Sequence, residues 1–298
     1  VSARPAGLLV PITTPFDAAT GDVAPVHLRE NARAFLAAGA DGVVAAGSTG
    51  EASLLSEAEF GQVVGWLRDV VPDGKWLIAG TGRESTRATI AACRVAAEAG
   101  ADAALVRAPC YYHPVLSEPG LIDHFRQAAD ASPIPLLLYN FPRYTHVPLT
   151  PTLVAALAGH ENIWGAKDST GDLENFAAYH DAAPAWSLFM GSGALYYAAL
   201  EMDAAGAIAA VANFAVRPTA QIGVHFRGGD KAAAGAAQER VAPLHRQIVG
   251  TLGVPGIKAA MDVVGLAGGP PRLPLVPVSH KTRAHIESLV SEAQLAGS

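Results

Sequence analysis

Apolar residues in this chain gather in short runs, separated by longer stretches in which they recur at helical spacing. The runs are 7–12, 42–46, 76–79, 103–106, 134–139, 163–166, 188–190 and 206–211. Most are continuous and do not alternate, the pattern of strands buried on both faces. Between them, 26–38, 57–70, 86–99, 121–131 and 173–182 read as amphipathic helices. Strand–helix alternation repeated eight times predicts an α/β fold, a closed (β/α)8 TIM barrel. A doubly wound open sheet is the competing topology.

Junction residues support the alternation. Gly39 and Gly100 sit in matching Ala-Gly-Ala-Asp segments, where a glycine can end a helix before the next strand. Ala205-Gly206-Ala207 repeats that junction. Ser56 and Glu59 predict a capping box, with Leu55 and Phe60 as its hydrophobic staple. After residue 211 the alternation stops, and helices are expected over 218–226, 231–249, 256–263 and 282–295, with a Pro-rich link at 268–277. The expected organisation is a barrel over 1–224 that carries the active site and a C-terminal helical extension over 225–298, with no independent second core.

Composition narrows the function. Half the residues are hydrophobic and 16% are charged, enough apolar material for a large core. A net charge of -6 without like-charge runs gives neither a nucleic-acid face nor a polybasic membrane patch. The two cysteines, Cys93 and Cys110, follow no metal-ligand spacing and suit a reducing compartment. Pro11 breaks the first apolar run, so the opening Val1-Ser-Ala-Arg-Pro5 does not read as a signal peptide, and no run has the length of a membrane helix. A cytoplasmic location is expected.

In a barrel of this kind, residues at the C-terminal ends of strands meet at one mouth. Lys167 follows the sixth run, Tyr139 ends the fifth, Tyr111 and Tyr112 follow the fourth, and Gly47-Ser-Thr-Gly-Glu51 follows the second. Of the five lysines, Lys75 precedes a strand, Lys231 and Lys281 lie in polar segments, and Lys258 falls in a C-terminal helix. Lys167 alone stands where a strand delivers a side chain to the mouth. Desolvation disfavours an ammonium ion, and a lysine made neutral in this way can attack a carbonyl. The plain alternative is a surface lysine at a strand end. The Gly47–Gly50 turn offers the hydroxyls of Ser48 and Thr49 and glycine-flanked N–H groups that can close on a carboxylate; an ordinary loop is the alternative. It is not a phosphate-binding Walker loop, since no Lys-Ser/Thr pair follows. Tyr139 reads either as a core tyrosine or as a proton shuttle beside the lysine. Tyr111 and Tyr112 could equally be aromatic packing at a subunit contact. The ten histidines show no metal spacing, and Gly80-Thr-Gly-Arg83 lacks the rest of a dinucleotide fingerprint.

Together these residues resemble the pyruvate-dependent class I aldolases and lyases that include dihydrodipicolinate synthase and N-acetylneuraminate lyase. The resemblance runs from Pro11-Ile-Thr-Thr-Pro-Phe16 to Arg272-Leu-Pro-Leu275 through Gly47-Ser-Thr-Gly-Glu51, Tyr139-Asn140 with Pro142, and Gly165-Ala-Lys-Asp168. It implies a (β/α)8 barrel with a helical extension, assembled as a homotetramer of tight dimers. It also implies that Lys167 forms an imine with pyruvate and Tyr139 relays protons. Ser48 would link Tyr139 to Tyr111 of a neighbouring subunit. Thr49, with the Gly47–Gly50 backbone, would hold the carboxylate, and the carbonyl of Ile208 would face the site. No metal or cofactor is required, and the partners are a 2-oxo acid and an aldehyde.

One departure concerns the substrate. Dihydrodipicolinate synthases usually carry a carboxylate-anchoring arginine five residues beyond the catalytic tyrosine. Here that position is Tyr144, with Arg143 one residue earlier. Residues 78–86, 109–112, 132–135, 167–169 and 253–258 are similar to the 4-hydroxy-2-oxoglutarate aldolase branch. The resemblance therefore implies cleavage of 4-hydroxy-2-oxoglutarate to pyruvate and glyoxylate. Condensation of pyruvate with aspartate semialdehyde and cleavage of a 2-keto-3-deoxy sugar acid are the alternatives, and a 2-oxo acid sensor without turnover is the non-enzymatic one. Specificity would reside in the loops 141–148, with Arg143, and 169–172, beginning at Ser169.

Overall fold

A strand buried on both faces must be apolar on both, because its pleat sends successive side chains to opposite sides. The computed structural model, which describes residues 4–293 and 295, meets that requirement with eight parallel strands. They are β1 (Gly7–Pro11), β2 (Gly42–Ala45), β3 (Trp76–Gly80), β4 (Ala103–Arg107), β5 (Leu136–Asn140), β6 (Ile163–Asp168), β7 (Ser187–Met190) and β8 (Gly206–Ile208). They pair in sequence order and β8 closes on β1. The closed (β/α)8 barrel expected from the run pattern is therefore the fold, and the open sheet is not.

Alternate residues separate into two cores. Leu9, Val44, Ile78, Leu105, Leu137, Phe189 and Ile208 fill the barrel interior with Tyr139. Their neighbours Leu8, Val43, Leu77, Leu136 and Leu188 pack outward against the helices. Ser56 Oγ accepts from Glu59 N at 3.2 Å while Ser56 N donates to Glu59 Oε2 at 2.8 Å, so the expected capping box forms. Gly39 and Gly100 end their helices at φ +105° and +93°. Gly206 does not share that role. It lies within β8, where a Cβ would come 1.8 Å from the carbonyl oxygen of Gly7, so it is a close-approach glycine between β8 and β1.

Other boundaries moved. The run 206–211 yields a strand only to Ile208, followed by a 3-10 turn over Ala210–Asn213. β6 continues through Asp168, so Lys167 is part of a strand and does not follow one. Three short helices, Pro142–Thr145, Pro151–Leu157 and Tyr196–Leu200, were not evident in the periodicity. Helix Val216–Arg227 packs beside β1 and passes through residue 224.

In the C-terminal region, Lys231–Leu244 continues through a π-helical segment, His245–Gly250, into Thr251–Val263. The gap expected between 249 and 256 is thus helical except at Gly253, whose φ of 61° and ψ of -148° bend the chain. Pro255, which has no N–H to donate, lies two residues on. The last helix is His280–Glu292; residue 294 of the expected 282–295 helix lies outside the described residues, as do residues 1–3 and 296–298. No helix among the described residues is long and apolar enough to cross a membrane.

Candidate active site

The β5–β6 register pairs Tyr139 with Lys167, and strand parity turns both side chains into the barrel. Lys167 Nζ lies 4.3 Å from the centre of the Tyr139 ring. The lysine is 5% exposed, and no carboxylate among the described residues forms an ion pair with it. Burial alone pulls its pKa down to about 7. Roughly half of such amines are neutral at pH 7, against a trace for a solvated lysine.

The adjacent Asp168 does not neutralise Lys167, because the pleat points it to the other face. Asn140 Nδ2 donates to Asp168 Oδ1 at 2.9 Å, and the Thr170 hydroxyl donates to Oδ2 at 2.6 Å. Burial raises the Asp168 pKa, with these hydrogen bonds opposing it. Asn140 Oδ1 in turn accepts from Leu149 N at 3.0 Å, so the carboxylate braces the ends of β5 and β6 and the following loops. Tyr139 is buried, which pushes its hydroxyl up to about 12; hydrogen bonding with Ser48 and Ser169 acts the opposite way.

A cavity of about 300 Å³ opens over Lys167. Ser48, Thr49, Tyr139, Arg143, Lys167 and Ser169 share its wall, so six of the residues singled out in the sequence converge. Gly47 lines a smaller adjoining space, and Gly50 supports the turn by accepting from Thr14 Oγ1 at 2.7 Å. The Ile208 side chain lies in the barrel interior; Ala210, two residues on, is in the cavity wall. Tyr111 is 76% exposed and absent from the wall. Its N–H and that of Cys110 each donate to Glu84 Oε2 at 2.9 Å, and Arg107 clamps the same carboxylate at 2.8 Å. Within one subunit, therefore, Ser48 has no Tyr111 to bridge to.

Arg143 also departs from a simple anchor. Its Nη1 donates to the Gly250 carbonyl at 2.9 Å, tying the loop after β5 to the π-helical segment. Tyr144 tilts against Phe141 at 4.4 Å between ring centres and enters the cavity wall itself.

Sequence reading missed the contribution of the extension. His245, Val249, Gly253, Val254 and Ile257 all line the cavity. The extension also pins the turn after β2. Lys258, in the helix Thr251–Val263, is 1% exposed and meets Glu51 Oε1 at 2.5 Å. Glu51 Oε2 accepts from Arg272 N at 2.8 Å, and Lys258 Nζ donates to the Pro270 carbonyl at 2.9 Å. The Gly253-Val-Pro255 break was the available local signal; a distant carboxylate partner for Lys258 left none.

A closed (β/α)8 barrel holding a desolvated lysine on a strand, against a tyrosine and beneath a cavity, defines the class I aldolases, whose lysine condenses with a carbonyl substrate. Residues 4–293 match the dihydrodipicolinate synthetase family, and the chain belongs to that family of pyruvate-dependent carbon–carbon lyases. The 4-hydroxy-tetrahydrodipicolinate synthase of Methanothrix thermoacetophila is 36% identical over 290 residues, 96% of either chain. That of Methanoculleus marisnigri is 38% identical over 277 residues, 90% of this chain and 92% of the relative. The crystal structure of dihydrodipicolinate synthase from Acinetobacter baumannii complexed with pyruvate matches with a TM-score of 0.92 at 31% identity, covering 97% of this chain and 99% of that one. YagE, a prophage protein of the dihydrodipicolinic acid synthase family from E. coli K12, is solved in complex with pyruvate; it matches with a TM-score of 0.93 at 29% identity, covering 98% and 100%.

Proposed function

We propose that the chain condenses pyruvate with aspartate semialdehyde through an imine on Lys167. The observation that carries the imine is the buried, unpaired amine against Tyr139 at the cavity floor; the pyruvate complexes of the two structural neighbours support pyruvate as its partner. The neutral amine adds to the ketone carbon and water leaves. The iminium draws electrons from the adjacent methyl, which loses a proton to give an enamine. The enamine carbon attacks the aldehyde, and hydrolysis frees Lys167. Tyr139 carries protons during addition and loss of water, with Ser48 and Ser169 orienting its hydroxyl. Thr49 and the Gly47–Gly50 backbone hold the pyruvate carboxylate, and the Ile208 carbonyl faces the site. Tyr111 completes the proton path from a second copy in a homotetramer built as a dimer of dimers. Residues 1–224 form the barrel unit and 225–298 the extension that closes over it, in a cytoplasmic enzyme.

The names of the relatives favour aspartate semialdehyde over glyoxylate as the aldehyde. Cleavage of 4-hydroxy-2-oxoglutarate is kept as a second reading by one observation: Arg143 is bonded to Gly250 and Tyr144 takes the place of an anchoring arginine. Borohydride reduction with pyruvate, followed by peptide mass spectrometry, should place one adduct on Lys167; no adduct, or one on another lysine, refutes the mechanism. Coupled assays with aspartate semialdehyde, glyoxylate and sugar-derived aldehydes then rank the electrophiles. A trapped imine without turnover of any of them would leave a 2-oxo acid sensor.

A further inference from the structure

The loop after β7 carries a polar chain that the imine chemistry does not use. The N–H of Gly193 donates to His245 Nδ1 at 3.2 Å, so that nitrogen carries no proton. The neutral ring then holds its hydrogen on Nε2, which lies 3.2 Å from Ser192 Oγ and donates to it. A hydroxyl oxygen engaged in this way keeps its own O–H to donate, and Ser192 lies in the cavity wall. Among the described residues that hydroxyl has no other side-chain partner.

The chain is braced on both sides. Gln238 Nε2 donates to the Gly193 carbonyl at 2.9 Å, and Gln238 Oε1 accepts from Tyr197 N at 2.8 Å. A Cβ on residue 193 would sit 2.5 Å from Val211 Cγ1, so the backbone comes this near only as glycine. His245 begins the π-helical segment, a local widening that recurs at functional sites. Burial, with Arg246 nearby, pulls the His245 pKa to about 4, which keeps the ring neutral and the donor direction unchanged at neutral pH.

β7 is separated from β2 by β8 and β1 in the closed order, so Ser192 stands apart from the Ser48-Thr49 turn. None of the residues lining the cavity is acidic, while Lys167 and Arg143 are basic. A second anion in this space finds donors and no repelling carboxylate.

We propose that Ser192 donates a hydrogen bond to the carboxylate of the aldehyde substrate, and that His245 is a positioning residue that aims it. The proposal rests on the imine reading and adds to it a binding residue for the electrophile.

Steady-state kinetics of the full chain, with pyruvate saturating and aspartate semialdehyde or glyoxylate varied, test it. Ser192→Ala should raise the aldehyde KM about tenfold, the scale of a lost hydrogen bond to a charged group. It should leave kcat, the pyruvate KM and borohydride trapping on Lys167 within about twofold. Ser192→Thr, which keeps the hydroxyl, should restore most of the affinity. His245→Phe should raise the aldehyde KM in the parent but add nothing in the Ser192→Ala background, because it acts through that hydroxyl. An unchanged aldehyde KM in Ser192→Ala with normal trapping overturns the proposal alone, as do additive effects in the double variant. No adduct in the parent enzyme removes the imine reading and this proposal with it.

Discussion

Lys167 and Lys258 are both almost fully buried, at 5% and 1% exposure, yet they are opposite kinds of residue. Lys167 has an aromatic ring beside it and, among the described residues, no carboxylate partner, so desolvation acts unopposed and lowers its pKa to about 7. Lys258 is also pulled down by burial, but Glu51 pushes back, and the Pro270 carbonyl accepts a hydrogen bond from its Nζ. The first arrangement leaves an amine free to react. The second holds an ammonium in a fixed bond between the turn after β2 and the extension. Burial makes a lysine nucleophilic only where no carboxylate partner restores the ammonium.

The comparison is broken most severely by removing each lysine in turn. Lys167→Ala should lower turnover by roughly three orders of magnitude or more and abolish the borohydride adduct, while the protein still unfolds cooperatively. If the variant keeps its activity, the reactive amine lies elsewhere. Lys258→Met should do the reverse. It strands the Glu51 carboxylate and should cost about 3–5 kcal/mol in denaturant unfolding, with the adduct still forming in the folded fraction. Replacing both partners, as Glu51→Leu with Lys258→Met, should recover most of that loss. A single variant as stable as the parent would show that the pair is not a brace.

A smaller effect lies in pH. The folded pKa of Lys167, about 7, is below its ordinary value of 10.5, so between those values the unfolded chain binds more protons and stability rises with pH. The penalty for burying the amine is full below pH 7. Lys167→Met should therefore gain on the parent by on the order of 2–3 kcal/mol more at pH 6 than at pH 9, read from denaturant midpoints. A pH-independent difference would mean that the amine is not desolvated. The imine-forming rate of the parent should climb through about pH 7 and level off above it. The smallest expected effect is that of a chelator. The imine itself is the electron sink, so dialysis against EDTA should leave turnover unchanged; a loss restored by a divalent ion would refute that account.

Much of the site was legible because strand ends are local signals. A short apolar run, then a lysine, then Asp-Ser-Thr-Gly, placed Lys167 at the barrel mouth, and Tyr139 and Ser48 followed by the same rule. Placing Lys258 only by its helix left its burial unseen, because its partner Glu51 lies far away in sequence and no periodicity links them. His245 and Ser192 were passed over for the same reason: each is an ordinary polar residue until the extension folds back over β7. Tyr111 marks a different limit. Its exposed ring lies outside the cavity of its own chain, so a role for it depends on an assembly.

The sequence by itself determined the repeating strand–helix order, narrowed the fold to a closed barrel or an open sheet, and singled out the lysine at a strand end. These follow from hydrophobic period and helix-capping chemistry, both read within a few residues. Only the tertiary structure decided that Lys167 goes unpaired while Lys258 is paired, that Asp168 turns away from its neighbour, and that the π-helical segment brings His245 to the cavity. Those outcomes depend on pleat direction and on contacts between distant segments. They set the desolvation and pairing of each charge, and through them the chemistry each can perform.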